Sequence, residues 1–141
     1  MLGRWLRLKI LGLPRNRFHP LVWIVGKPLI GEGVYIGGFS EVNANGCVVK
    51  IGSNCDIASF VSINGADSSA KAVGRCEVIE RRDITLENNV FVGSHSVILG
   101  GSHIGHHSVI AAGTVVRGLK VPPNSLVIGN PAQVKPLIKD A

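Results

Sequence analysis

The chain has 141 residues, 45% hydrophobic but only 5% aromatic, with 18 glycines and a formal net charge of +6. That length suits one domain, and no stretch of 18 apolar residues is present to cross a membrane as a helix. Scarce aromatic side chains and the lack of a known motif argue against nucleic-acid binding despite the basic charge.

Residues 1–23 differ in composition from the rest. Trp5, Leu6, Leu8, Ile10 and Leu11 mix with Arg4, Arg7 and Lys9, and the run ends at Pro14. This segment is expected to cap the open end of the fold that follows; it could instead make peripheral contact with an anionic membrane surface. No signal-peptide cleavage pattern follows it.

From residue 24 a six-residue beat sets in. Ile30, Ile36 and Val42 mark it first; after a three-residue slip come Ile51, Ile57 and Ile63. Leu86, Val92, Ile98, Ile104, Ile110 and Val116 then continue it. Four positions after these aliphatic residues stand Val90, Ser96, Ser102, Ser108 and Thr114, small or β-branched. A helix or a strand alone does not give a period of six. Short strands joined by tight corners do, and three such units make one triangular turn of a solenoid. Residues 18 apart should therefore stack: Leu86 under Ile104, Val92 under Ile110, Ile98 under Val116. The corners fall at Asn88, Asn89, Gly100, Gly101, His106, His107 and Gly113, residue types that tolerate unusual backbone angles. About six or seven turns fit the chain length. The flat, apolar faces of so narrow a prism call for cover by other subunits, so a homo-oligomer is expected. Cys47, Cys55 and Cys76 do not pair evenly, and Cys55 takes a small inward position. They are expected to be reduced, in a cytoplasmic protein.

The repeat [Leu/Ile/Val]-Gly-x-x-[small]-x over residues 24–135 resembles the hexapeptide-repeat acetyltransferases. It is sharpest at ITLENNVFVGSHSVI, IGHHSVIAAGTVV and PPNSLVIGNPAQV. The last run is similar to the closing segment of the galactoside, maltose and streptogramin acetyltransferases. The resemblance implies an all-β left-handed parallel β-helix, a homotrimer, acetyl-CoA as donor and active sites in clefts between subunits. Some members of this fold are carbonic anhydrases, but no three histidines here take that spacing.

Residues 64–83 break the beat and should project from the prism as a loop, where binding and catalysis concentrate. In the resembling enzymes a histidine near the start of this loop takes the proton of the acceptor hydroxyl. Here the run is Asn64-Gly65-Ala66-Asp67-Ser68-Ser69, and the loop contains no histidine. Ser68 falls at the histidine position, or Ser69 with a one-residue slip. Three readings follow. The acceptor is an amine that needs positioning more than a strong base, with Asp67 taking the proton; or His95 supplies the base; or the chain is an inactive scaffold. Asn43, Asn45 and Asn64, in the early coils and at the loop entrance, are candidate sugar contacts.

Downstream, the resemblance implies a donor groove along one corner column. Ser94 and Ala112 would bond the pantetheine arm, and Gly93 and Gly113 would let it approach. Phe91 would stand beside the acetyl group. Arg117, Lys120, Lys135 and Lys139 lie near the end where the family binds the nucleotide, and Arg117 and Lys135 are the better candidates for its phosphates. His95, His103, His106 and His107 lie within 13 residues. The frame puts His95 and His107 on different corners, and His106 and His107 should point different ways. No metal site is therefore expected within one chain, although one shared across a symmetry axis stays open. The reading is acetyl transfer to a nucleotide-linked or glycan sugar, with an amine acceptor ahead of a hydroxyl. Residues 136–141 form a C-terminal tail.

Overall fold

The computed structural model describes residues 9, 10 and 16–137. Most of the expected N-terminal cap, and Lys139 with most of the tail, lie outside the described residues.

From Ile36 onward each aliphatic residue of the beat is buried while its strand neighbours are more exposed, and Ile30 at the start is half-buried; this alternation fixes short strands of two to four residues. They stack in parallel into three sheets, the faces of a prism. The first face holds Trp23–Gly26, Glu41–Ala44, Ser62–Asn64, Val97–Leu99 and Val115–Arg117. The second holds Leu29–Ile30, Val49–Ile51, Ile84–Leu86, His103–Ile104 and Lys120–Val121. The third holds Tyr35–Ile36, Asp56–Ile57, Phe91–Val92, Val109–Ile110 and Ser125–Ile128, and is closed by an antiparallel strand, Gln133–Pro136. The register stacks Leu86 on Ile104, Val92 on Ile110 and Ile98 on Val116. The described residues form about five coils rather than six or seven, because residues 65–83 stand outside the stack.

The small fifth-position residues do more than fit. Ser96, Ser102, Ser108 and Thr114 are at most 1% exposed, and each hydroxyl bridges to a neighbouring corner. Ser96 Oγ donates to the Ala111 carbonyl at 3.0 Å; Ser108 Oγ donates to the Pro122 carbonyl and accepts the Ser125 N–H at 3.1 Å. These bonds satisfy corner backbone that the sheets leave unpaired. No buried side-chain polar atom lacks a partner among the described residues.

The second-position glycines also have a steric cause. A Cβ on Gly105 would stand 2.4 Å from Pro123 N, and one on Gly93 would stand 2.5 Å from Ala112 N. The next coil passes too close for any side chain. Gly93 is thus required by the coil itself, whereas the sequence suggested room for a ligand.

The slip between Val42 and Ile51 is a longer corner, Asn45–Val48, where Asp83 Oδ1 accepts the Val48 N–H at 2.8 Å. Between the first and second faces residues 65–83 leave the prism. They rise as an antiparallel ribbon, Ala66–Asp67 against Glu80–Arg81, and continue into a single helical turn, Ser69–Ala72. Cys55 is 1% exposed, and all three cysteines are free.

Candidate active site

The prism sorts the candidate residues onto two corners. The corner between the third and first faces carries Gly93-Ser94-His95 and, one coil later, Ala112-Gly113. Gly113 N–H donates to the Ser94 carbonyl at 2.9 Å, which locks the two rungs together. Phe91 is half-exposed on the adjoining strand of the third face. His95 adopts φ 61° and lies stacked on the Phe60 ring.

The corner between the first and second faces carries the loop. Beneath it lies a cleft of about 530 Å³, lined by Asn64, Asp67, Ser68, Arg82, Leu99 and Arg117 among others. Asp67 Oδ1 accepts the Ser69 N–H at 2.8 Å. Hydrogen bonds from the Ser69 hydroxyl and amide hold this carboxyl below its usual range, helped by the Arg117 and Arg82 charges. Asp67 is therefore a carboxylate at neutral pH and a weak proton acceptor. Ser68 precedes the helical turn, and its hydroxyl makes no capping bond. Arg82 is paired with Glu80 at 2.5 Å.

Asn43 and Asn64 are neighbours in register on the first face. Each side-chain oxygen closes the turn that follows it: Asn43 Oδ1 accepts the Asn45 N–H at 3.0 Å, and Asn64 Oδ1 accepts the Ala66 N–H at 2.9 Å. Of the two, Asn64 lines the cleft. The Asn45 carbonyl accepts from the Arg81 guanidinium.

The structure thus joins Asn64, Asp67, Ser68 and Arg117, and separately Phe91, Gly93, Ser94, His95, Ala112 and Gly113, with the first face between the two groups. Arg117 stands with the loop and not with the corner of Ser94 and Ala112. Lys135 sits on the last strand of the third face, opposite Leu126. Sequence reasoning missed Arg82 and the stacking of His95 on Phe60. The second had a signal: Phe60 and His95 are both fourth in their six-residue units.

The third corner, between the second and third faces, holds His103, His106 and His107. Glu87 Oε1 meets His103 Nε2 at 2.7 Å, and Glu87 Oε2 accepts the His106 N–H at 2.8 Å. His106 and His107 do not point apart as expected. Their Nδ1 atoms are 2.9 Å apart with the rings edge to face, because φ 57° at His107 folds the corner back. No group of three or more metal-ligating side chains occurs among the described residues, nor any helix long and apolar enough to cross a membrane.

Comparison with known proteins adds three relatives and a family model. Residues 83–118 match the model described as bacterial transferase hexapeptide (six repeats). Carnitine operon protein CaiE of Salmonella agona is 28% identical over 135 residues, 86% of this chain and 64% of its own. The chain thus spans less than two thirds of that relative's length. Among solved structures, the hexapeptide-repeat acetyltransferase VCA0836 of Vibrio cholerae, complexed with acetyl-coenzyme A, superposes with a TM-score of 0.77 at 27% identity. The match covers 99% of this chain and 78% of that one. The polySia-specific acetyltransferase NeuO gives a TM-score of 0.74 at 30% identity, over 90% of this chain and 62% of that one. The fold is a left-handed β-helix.

Proposed function

We propose that this chain, a member of the hexapeptide-repeat family, transfers an acetyl group from acetyl-CoA to a sugar, with an amine acceptor ahead of a hydroxyl. The observation that carries the reading is the corner of Ser94, His95, Ala112 and Gly113, on a fold that a relative with bound acetyl-coenzyme A shares over nearly the whole chain. The polysaccharide in the name of NeuO supports a sugar acceptor.

The donor lies along that corner, with backbone groups of Ser94 and Ala112 bonding its arm and Lys135 towards its phosphates. The acceptor lies in the loop cleft against Asn64 and Asp67. Because the first face separates the two groups within one chain, the site is completed by the loop of a second copy, which supports a homotrimer. The acceptor nitrogen attacks the thioester carbon, a C–N bond forms and the C–S bond breaks. Backbone N–H groups steady the oxyanion in between. The CoA thiolate leaves and takes up the proton released by the ammonium, which the Asp67 carboxylate stabilises as it departs. A carboxylate held below its usual range suits this electrostatic role better than abstraction of a hydroxyl proton. Dependence on acetyl-CoA suits the cytoplasm.

The test is CoA release from acetyl-CoA with paired amino and hydroxyl sugars. Turnover with the amine, a fall of about tenfold or more in kcat for Asp67→Asn, and little change for His95→Ala are expected. Turnover restricted to hydroxyl sugars and lost in His95→Ala would overturn the amine reading. No turnover with either class would favour a non-catalytic scaffold.

A further inference from the structure

The corner that carries Ser94 and Ala112 continues into the earlier coils as a stack of rings. Phe39 and Phe60 lie with centroids 5.1 Å apart and planes 7° from parallel, and the His95 ring lies 4.9 Å from Phe60 at 9°. All three residues adopt left-handed backbone angles, φ 63°, 60° and 61°. That region is unfavourable for a bulky side chain. At the corner between the second and third faces the equivalent turn is filled by Gly33, Asn54, Asn89 and His107. The two phenylalanines are also 61% and 50% exposed. Bulky apolar side chains held in a strained conformation and turned to solvent mark a surface that something else uses.

Charge gives that surface a direction. Lys135 lies on the last strand of the third face, whereas Glu41 and Asp56 flank the ring stack in the early coils. A polyanionic donor on this corner keeps its phosphates towards the late coils and its thioester towards Phe60. An acetyl group ends beside His95; a longer chain runs on over Phe60 and then Phe39. Resting on the donor placement given above, we propose that the Phe60–Phe39 stack is the binding strip for the donor's acyl chain, and that the protein binds acyl-CoA of medium chain length more tightly than acetyl-CoA. The attack and the leaving group are unchanged; only the acyl group carried to the acceptor is longer.

The experiment is equilibrium titration of the full chain with CoA, acetyl-CoA, butyryl-CoA and hexanoyl-CoA, repeated with Phe60→Asn and Phe39→Asn. Asparagine already occupies the matching turn position at Asn54 and Asn89, so these substitutions suit the backbone. A fully buried methylene is worth roughly fourfold in affinity, and less on a strip that covers one side. Hexanoyl-CoA is expected to bind at least about tenfold tighter than acetyl-CoA to the wild type. In Phe60→Asn that preference falls to about twofold or less while acetyl-CoA affinity holds. Equal affinities for the wild type, or an undiminished preference in both variants, would overturn the strip and leave the donor placement standing. Failure of CoA itself to bind would overturn the donor placement and the strip with it.

Discussion

Replacing Gly105 by alanine tests whether coil spacing dictates the repeat. The added methyl would stand 2.4 Å from Pro123 N, 2.7 Å from Pro122 C and 2.8 Å from Pro123 Cα. All three are backbone atoms, so no side-chain rotation relieves the clash, and two consecutive coils must part. Overpacking of this kind costs about 1–3 kcal/mol; with three backbone contacts under 3.0 Å the upper end, about 3 kcal/mol, is expected. The assay is urea unfolding followed by far-ultraviolet circular dichroism at fixed protein concentration, since assembly shifts apparent stability. The midpoint should fall with little change in slope. Gly105 lies on the corner away from both candidate groups, so CoA release per folded protein should stay unchanged. A loss below about 0.5 kcal/mol, the range of ordinary surface substitutions, would refute the steric account of the second-position glycine.

Other outcomes follow from the same geometry. Ser96→Ala removes a buried hydroxyl that donates to the Ala111 carbonyl and accepts the Thr114 N–H, and should cost about 1–3 kcal/mol in the same unfolding assay. Glu87 is held below its ordinary value of 4.5, first by its hydrogen bond to His103 and then by the His106 amide. A depressed carboxyl contributes stability above its unfolded pKa and loses it as pH falls through the folded one. Glu87→Gln should therefore lower the melting temperature at pH 6 and have no effect well below pH 4 (about the carboxylate range). Equal effects at both pH values would count against the bond. Burial pushes the Cys55 thiol up, and Cys76 is exposed. Iodoacetamide should label Cys76 in the native protein and Cys55 only on unfolding, as read by mass spectrometry.

Much of the fold was legible because a period of six leaves few architectures. The stacking of Leu86, Val92 and Ile98 on residues 18 further on follows from the beat alone. The number of coils did not, since sequence length does not say how many residues stand outside the stack. Corner contents were legible by residue type, but the His106–His107 contact depends on one backbone angle that their adjacency does not fix. Gly93 and Gly105 looked alike in sequence with any other corner glycine. Their cause, a neighbouring coil that an added Cβ would meet within 2.5 Å, is visible only once the coils are packed. In the site, the loop and its Asp67 were legible as a break in the beat. The division of the candidates between two corners was not drawn from the frame, and Arg117 moved from the donor group to the loop cleft. The aromatic stack escaped because Phe39, Phe60 and His95 are separated by 21 and 35 residues, intervals stretched by the long corner and the loop.

The most direct test of the donor placement is calorimetric titration of acetyl-CoA into the wild type and into Ala112→Trp. Ala112 is exposed on the corner, so the indole fills the groove without entering the core. Saturable binding by the wild type and its loss in a folded Ala112→Trp variant is the predicted result. No binding by the wild type at millimolar acetyl-CoA, or equal binding by the variant, would contradict it.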